Sequence, residues 1–207
     1  MAIRIDVWSD FVWPFCFLVA SSLEKLQEHY DIDIHWRSFE LRPAGSPPMP
    51  PEYRRRIEAS RPMFNKRARE QYGLDINSGP FGINSRHALV AEKFAESQGK
   101  SEAFQRAVMD AYWQQARSIE DTNVLKEIAE QVGLDTKNFE AVLIDPTYDA
   151  EVSADIDLAR KYRLDAVPAL VFAEKYLVVG AQPYDTLKQV IEEIQEEERR
   201  NQEESAT

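Results

Sequence analysis

The sequence contains a single cysteine, Cys16, among its 207 residues. One cysteine excludes an intrachain disulfide, and with it both a disulfide-stapled secreted domain and a dithiol–disulfide cycle within the chain. The seven glycines form no GxGxxG or GxxxxGK pattern, and the three histidines are scattered without metal-ligand spacing. The sequence therefore predicts neither a phosphate-binding loop nor a metal site.

Long apolar runs and an excess of positive charge are also missing. No run reaches about 18 apolar residues, so we predict no membrane span. The N-terminus "MAIRIDVW" has no basic segment, apolar segment or cleavage site of a signal peptide, so we expect a cytoplasmic protein. A net charge of −11 argues against a nucleic-acid binder, because phosphates would be repelled. The 43% of hydrophobic residues suffice for a packed core.

The first fifty residues have the pattern of a strand–helix–strand unit. Ile3, Ile5 and Val7 alternate with polar residues, which predicts a strand. Pro14 suits the first position of a helix, and an apolar stripe with helical spacing follows it: Cys16, Val19, Ala20, Leu23, Leu26 and Tyr30. The segment "DIDIHWRSFEL" alternates again and predicts a second strand. This order is typical of a βαβ unit.

The rest of the chain divides into a helical part and a second α/β part. Five prolines between Pro43 and Pro51 predict a semi-rigid link. From Tyr53 to about Asp145 the pattern is helical throughout. A helix, two short strands around "EK" and a last helix with a frayed charged tail follow. We predict an α/β core formed by residues 1–49 and 149–207, with an all-helical insertion domain at residues 50–148.

The motifs "SDFVWPFCF", "FELRP", "FGINSRHALVAEKFAESQGK", "AVPALVF" and "VVGAQPYDTL" together resemble the DsbA-like thioredoxin-fold proteins of the FrnE branch. Related branches are the 2-hydroxychromene-2-carboxylate isomerases and the kappa-class glutathione transferases. The resemblance implies a thioredoxin-like fold, oxidoreductase or isomerase chemistry, and a redox turn at Trp13-Pro14-Phe15-Cys16. In the family this turn begins and ends with cysteine, so here the attacking cysteine is replaced by Trp13.

Two interpretations of Cys16 and of Trp13 follow. Cys16 is either a core residue on the apolar stripe or a monothiol activated by the helix N-terminus. Trp13 is either an aromatic lid on a lost active site or a surface on which a ligand stacks.

The resemblance also implies binding residues for glutathione or for an extended peptide. It predicts a cis bond between Val167 and Pro168, with the Val167 backbone offered to the ligand. Asn84 and Gln182 match positions near glutathione in the relatives. The alternatives are a helix cap for Asn84 and a plain strand-to-helix connection for the loop that holds Gln182.

Three functions therefore remain open. The chain is a monothiol oxidoreductase that works with a small thiol such as glutathione, a glutathione-dependent isomerase or transferase, or a non-enzymatic peptide-binding protein. No cofactor is required, and glutathione is the candidate. A homodimer is expected from the relatives. The basic run "YRRRIEASRPMFNKRAR" is either a solvated helix face or an attraction for an anionic substrate near the cleft.

Overall fold

Four strands form one mixed sheet in the computed structural model of the chain, which describes residues 2–205, Ser205 by its backbone alone. They are β1 (Ile3–Ser9), β2 (Ile32–Ser38), β3 (Ala169–Phe172) and β4 (Tyr176–Val179). Their order across the sheet is β2-β1-β3-β4. β1 is parallel to β2 and antiparallel to β3, which forms a hairpin with β4. The predicted α/β, thioredoxin-like order is confirmed.

Within residues 2–205, eight helices and one π-helical turn accompany the sheet. They are α1 (Pro14–Gln27), α2 (Pro51–Arg67), the π-helical turn Ala68–Tyr72, α3 (Arg86–Ser97), α4 (Ser101–Trp113), α5 (Thr122–Gln131), α6 (Phe139–Val142), α7 (Pro146–Lys161) and α8 (Tyr184–Ser205). Local signals explain several starts. Asp121 and Asp145 accept hydrogen bonds from backbone N–H groups two residues on, which caps α5 and α7.

α1 lies at the centre of the molecule and is buried more completely than a single apolar stripe predicts. Residues 16–20 are all buried. One side of α1 packs on the sheet and α8 through Val19, Ala20, Leu23 and Leu26. Cys16 and Phe17 instead belong to a second cluster, built mainly from α3 to α7. The predicted apolar stripe therefore covers only part of the buried surface of α1, because residues of the helical region pack against a second side of the helix.

Residues 73–85 are not helical, which corrects the prediction of helix throughout this region. Gly73 takes a left-handed φ of 72° and ends the π-helical turn. The segment then hydrogen bonds to the end of α4, where Asn77 N–H donates to Trp113 O and Gly79 N–H to Tyr112 O. A Cβ at Gly79 would lie 2.7 Å from the Tyr112 ring. This close approach requires glycine.

Two helix boundaries also differ from the prediction. α7 begins at Pro146, because proline is favoured at a first helical position. α8 continues to Ser205, through the part predicted to be a frayed tail. The division into two domains stays a prediction. One buried cluster contains Trp8 and Phe11 of the first segment together with residues of α3, α4 and α7, so the two parts share a core.

A group of buried charges ties β2 to α7 and α3. The Asp155 carboxylate accepts a hydrogen bond from Ser38 N–H at 3.0 Å. It also lies 2.7 Å from Lys93 Nζ and 3.1 Å from Arg37 Nη1. Asp155 and Lys93 are 5% and 3% exposed. None of these pairings was predicted, because the partners lie far apart in the sequence.

Candidate functional site

The candidate site is the turn between β1 and α1, residues 10–13, with Cys16 in the first turn of the helix. Trp13 N–H donates to Asp10 O at 3.1 Å, and Cys16 N–H donates to Trp13 O at 3.0 Å. Pro14 is the first helical residue, so its missing N–H costs no helical hydrogen bond. Trp13 therefore takes the N-cap position of α1, where the helix N–H groups and the macrodipole favour a negative charge.

Cys16 is fully buried, with an exposed fraction of 0%. Burial raises the pKa of its thiol to about 12, against the opposing effect of the Ser9 hydroxyl and the Asp10 backbone. The negative charge of Asp10 raises it further. A thiol with this pKa is almost wholly protonated at neutral pH, and the thiolate is the nucleophilic form. The surroundings of Cys16 therefore match the core-residue interpretation, and its N-terminal helix position does not overcome burial.

Asp10 is a buried carboxyl group beside Cys16 that the sequence reasoning did not single out. Its side chain accepts hydrogen bonds from Leu41 N–H at 2.8 Å and Val12 N–H at 3.2 Å. Burial raises its pKa to about 6, although these bonds and the Ser85 side chain act in the opposite direction. The available signal was an acidic residue between Trp8 and Phe11 in an apolar stretch. Asp10 holds the turn against the segment after β2.

Aromatic and basic side chains form one wall of the site. The Trp13 and Phe15 rings lie 5.6 Å apart, and Phe15 meets Phe64 of α2 edge-to-face at 5.6 Å. The Arg67 guanidinium lies over the Phe15 ring at 6.0 Å and donates to Ala181 O at 3.3 Å. The end of α2 therefore covers Phe15 and contacts the loop that holds Gln182.

The segment before β3 lies at the same end of the sheet as the turn. The Val167–Pro168 peptide bond is cis, as predicted. β1 and β3 pair through Trp8 and Ala169. This register, continued by two residues, sets Val167 opposite Asp10. Val167 also shares a buried cluster with Cys16, against which Trp13 packs. Within residues 2–205, neither the N–H nor the C=O of Val167 makes a hydrogen bond.

Asn84 and Gln182 hydrogen bond within the chain. The Asn84 amide donates to Glu40 Oε1 and Arg42 O, and its oxygen accepts from Arg86 N–H at 2.7 Å. These bonds fix the start of α3 to the segment after β2. The Gln182 amide donates to Val179 O at 3.1 Å. The glutathione contacts predicted for both residues stay predictions.

A metal-binding cluster and a membrane-crossing helix are both absent from residues 2–205. No three side chains of His, Cys, Asp or Glu lie close enough together to hold a metal ion in that part of the chain. No helix there combines the length and the apolar content that a bilayer crossing requires.

Comparison with known families agrees with the fold. The DSBA-like thioredoxin domain family matches residues 4–192. Among curated proteins, the chain is similar to YwbO of Bacillus subtilis (strain 168), with 28% identity over 198 residues that cover 94% of this chain and 98% of that protein.

Solved structures give the same result. The probable DsbA oxidoreductase SCO1869 from Streptomyces coelicolor has a TM-score of 0.78 and 27% identity, and the match covers 91% of this chain and 88% of that one. A 2-hydroxychromene-2-carboxylate isomerase has a TM-score of 0.79 over 97% of this chain and 98% of that one. Its identity of 19% shows a shared fold only.

Proposed function

Because the chain belongs to the DSBA-like thioredoxin domain family, we propose that it binds an extended polypeptide segment at the thioredoxin-fold site and does not carry out thiol–disulfide exchange. The family is one of oxidoreductases and isomerases, and this chain keeps its fold and its turn. The observation that carries the proposal is the unpaired backbone of Val167, beside a turn whose only thiol is buried.

The loss of exchange chemistry is supported by the positions of Trp13 and Cys16. Thiol–disulfide exchange begins with a thiolate that attacks one sulfur of the substrate disulfide. Position 13, at the N-terminus of the helix, supplies an indole instead. The remaining thiol has an exposed fraction of 0% and a pKa raised to about 12. A substrate sulfur would have to enter the core to reach it, so we infer that Cys16 does not act as a monothiol.

Peptide binding is supported by the backbone of Val167. A buried N–H or C=O without a partner is rare in folded proteins. Such a group has given up its hydrogen bonds to water without replacing them, which destabilises the folded state. Val167 is 5% exposed and leaves both groups unpaired within residues 2–205. An extended peptide alongside Val167 would pair both groups, as in strand addition to a sheet edge. The indole of Trp13 would supply an apolar contact next to them.

Glutathione remains the alternative ligand, because it also has a peptide backbone. The amides of Asn84 and Gln182, predicted to contact it, already hydrogen bond within the chain. Asn84 engages both of its amide N–H groups in this way, so glutathione would have to displace a partner there. Gln182 donates one amide N–H to Val179 O, and an amide has a second N–H to offer. We place the protein in the cytoplasm, since a chain with one cysteine gains no intrachain disulfide from an oxidising compartment. A homodimer stays a prediction.

The test is amide hydrogen exchange at Val167, measured by NMR with and without a peptide. The probe is a fluorescein-labelled peptide of about ten residues. Every second residue is Gln and the others are Thr or Val, and it is called the Gln peptide below. We expect saturating peptide to slow exchange of the Val167 N–H by about tenfold or more. Exchange at Glu174, in the hairpin turn at the other end of β3, should not change.

The Cys16→Ala variant serves as the thiol control. Its affinity for the Gln peptide, measured by fluorescence anisotropy, should lie within about twofold of the wild type, because the thiol makes no contact with the ligand. Unchanged exchange at Val167 with every peptide would overturn the proposal. Protection of Val167 by millimolar glutathione alone, with no effect of peptides, would favour the glutathione-dependent function instead.

A further inference from the structure

α2 carries positive charge that the rest of this acidic chain does not share. Residues 51–67 contain six basic and two acidic side chains, so the helix carries +4 while the chain as a whole carries −11. None of these seventeen residues is buried. The predicted basic run is therefore an exposed helix, and it lies against the candidate site through Phe64 and Arg67.

Two arginines of α2 lie beside aromatic rings of neighbouring segments. The Arg54 guanidinium is 5.8 Å from the centre of the Phe81 ring, and that of Arg67 is 6.0 Å from Phe15. Arg61 follows Arg54 by seven positions, about two helical turns, and so lies on the same face of α2. Its positive charge acts against the burial that raises the pKa of Tyr112 to about 12. The three cations therefore follow the border between α2 and the rest of the molecule, and the border ends at the turn.

Across the described residues, these arginines have no anionic partner of their own. Among residues 2–205, no carboxylate oxygen lies within 4.0 Å of the guanidinium nitrogens of Arg54, Arg61 or Arg67. The chain has 36 acidic residues, so the lack of pairing along this border does not reflect a shortage of carboxylates. Guanidinium groups bind carboxylates through charge-assisted hydrogen bonds. An unpaired row of them attracts an anionic ligand.

The length of the row selects the kind of ligand. Arg67 lies thirteen positions after Arg54, which corresponds to about 20 Å along a helix. A tripeptide such as glutathione spans at most about 10 Å, whereas an extended segment of about six residues spans 20 Å. A nucleic acid would meet the −15 of the remaining chain, which repels phosphates. An acidic polypeptide is therefore the ligand that fits.

We propose that an acidic stretch of the bound polypeptide lies along α2, with its carboxylates on Arg54, Arg61 and Arg67, and so makes acidic segments the preferred substrate class. This inference rests on the proposed function, in which a neighbouring part of the same polypeptide pairs with Val167. Pairing with the Val167 backbone does not depend on the side chains of the bound polypeptide. The three arginines therefore add selectivity for acidic segments and faster association.

The test compares three peptides that differ only in the residue alternating with Thr and Val, which is Glu, Gln or Lys. At low salt we expect the Glu peptide to bind about tenfold more tightly than the Gln peptide and the Lys peptide to bind most weakly. The advantage should shrink at high salt, because exposed charges are screened. The Arg54→Gln/Arg61→Gln variant should lose about fivefold in affinity for the Glu peptide and nothing for the Gln peptide.

The matched control is Arg199→Gln/Arg200→Gln, which removes the same charge from the exposed end of α8. It should change both affinities by less than about twofold. Equal binding of the Glu and Gln peptides, or equal losses in the two double variants, would overturn the inference and leave the proposed function intact. Tighter binding of a single-stranded oligonucleotide than of the Glu peptide would also overturn it. Absence of Val167 protection with all three peptides would overturn the proposed function itself.

Discussion

The Trp13→Cys variant is expected to reduce insulin disulfides in the presence of dithiothreitol, whereas the wild-type chain should show only the uncatalysed rate. The substitution places a thiol at the N-cap of α1, where helix N–H groups and the macrodipole stabilise a thiolate. Such a thiol reaches a pKa near 7 and is about half ionised at neutral pH. The Cys16 thiol, with its pKa of about 12, is ionised in roughly one molecule in 10⁵. The residue at position 13 therefore decides whether the protein can attack a substrate disulfide.

Cys16 should then act as the second thiol of the pair. A buried, protonated thiol suits the resolving role, because it must not attack substrates but must reach the mixed disulfide on its neighbour. Two controls isolate this explanation. Trp13→Ser removes the same indole without adding sulfur and should remain inactive. Trp13→Cys/Cys16→Ala should form a mixed disulfide that is released slowly. An inactive Trp13→Cys variant with a reactive thiol at position 13 would show that more than the attacking sulfur has been lost.

The Asp155→Ala variant should lose about 3–5 kcal/mol of unfolding free energy, which is the usual effect of removing one partner of a buried ion pair. Asp155 faces Lys93 Nζ at 2.7 Å, Arg37 Nη1 at 3.1 Å and the Ser38 N–H at 3.0 Å. Removing its carboxylate leaves the Lys93 side chain, which is 3% exposed, with only Glu92 and Glu96 for compensation. The melting temperature should fall by about 10 °C.

Urea unfolding, monitored by tryptophan fluorescence, measures the loss of unfolding free energy in Asp155→Ala. The matched control is Asp157→Ala on the same helix, whose carboxylate pairs with Arg160 at 2.7 Å but is 62% exposed. An exposed pair contributes less than about 1 kcal/mol. Asp155→Asn should lose less unfolding free energy than Asp155→Ala and more than Asp157→Ala, since it keeps an acceptor for Ser38 N–H and loses the charge. Equal losses in Asp155→Ala and Asp157→Ala would contradict the importance of the buried group.

Local patterns predicted the parts of the fold that depend on neighbouring residues. Alternation placed β1 and β2, and a proline placed the start of α1. The stretch at residues 73–85 was missed because a helical pattern on either side outweighed its glycines. Its actual conformation depends on hydrogen bonds to Tyr112 and Trp113, more than thirty residues away. Contacts of that kind leave no periodic signal.

The candidate site shows the same division. The cysteine count alone excluded an intrachain dithiol cycle, and the resemblance located Val167 and Pro168. Whether Cys16 meets solvent could not be read from the sequence, because Cys16 is buried in a cluster whose other residues come mainly from helices α3 to α7. The unpaired backbone of Val167 and the charged cluster around Asp155 depend likewise on distant segments. Sequence patterns locate the helices and strands, whereas contacts between residues that are distant in the sequence decide the chemistry of the site.

The reaction of Cys16 with 5,5′-dithiobis(2-nitrobenzoic acid) tests the central claim that this site no longer performs thiol chemistry. The rate is measured for the native protein and for the protein unfolded in concentrated guanidinium chloride at the same pH. Raising the thiol pKa from its unfolded value to about 12 lowers the thiolate fraction by about 10³-fold, and burial slows the reaction further. We therefore predict that native Cys16 reacts at least about 10³-fold more slowly than unfolded Cys16. A native rate equal to or above the unfolded rate would reveal an accessible thiolate and contradict the account.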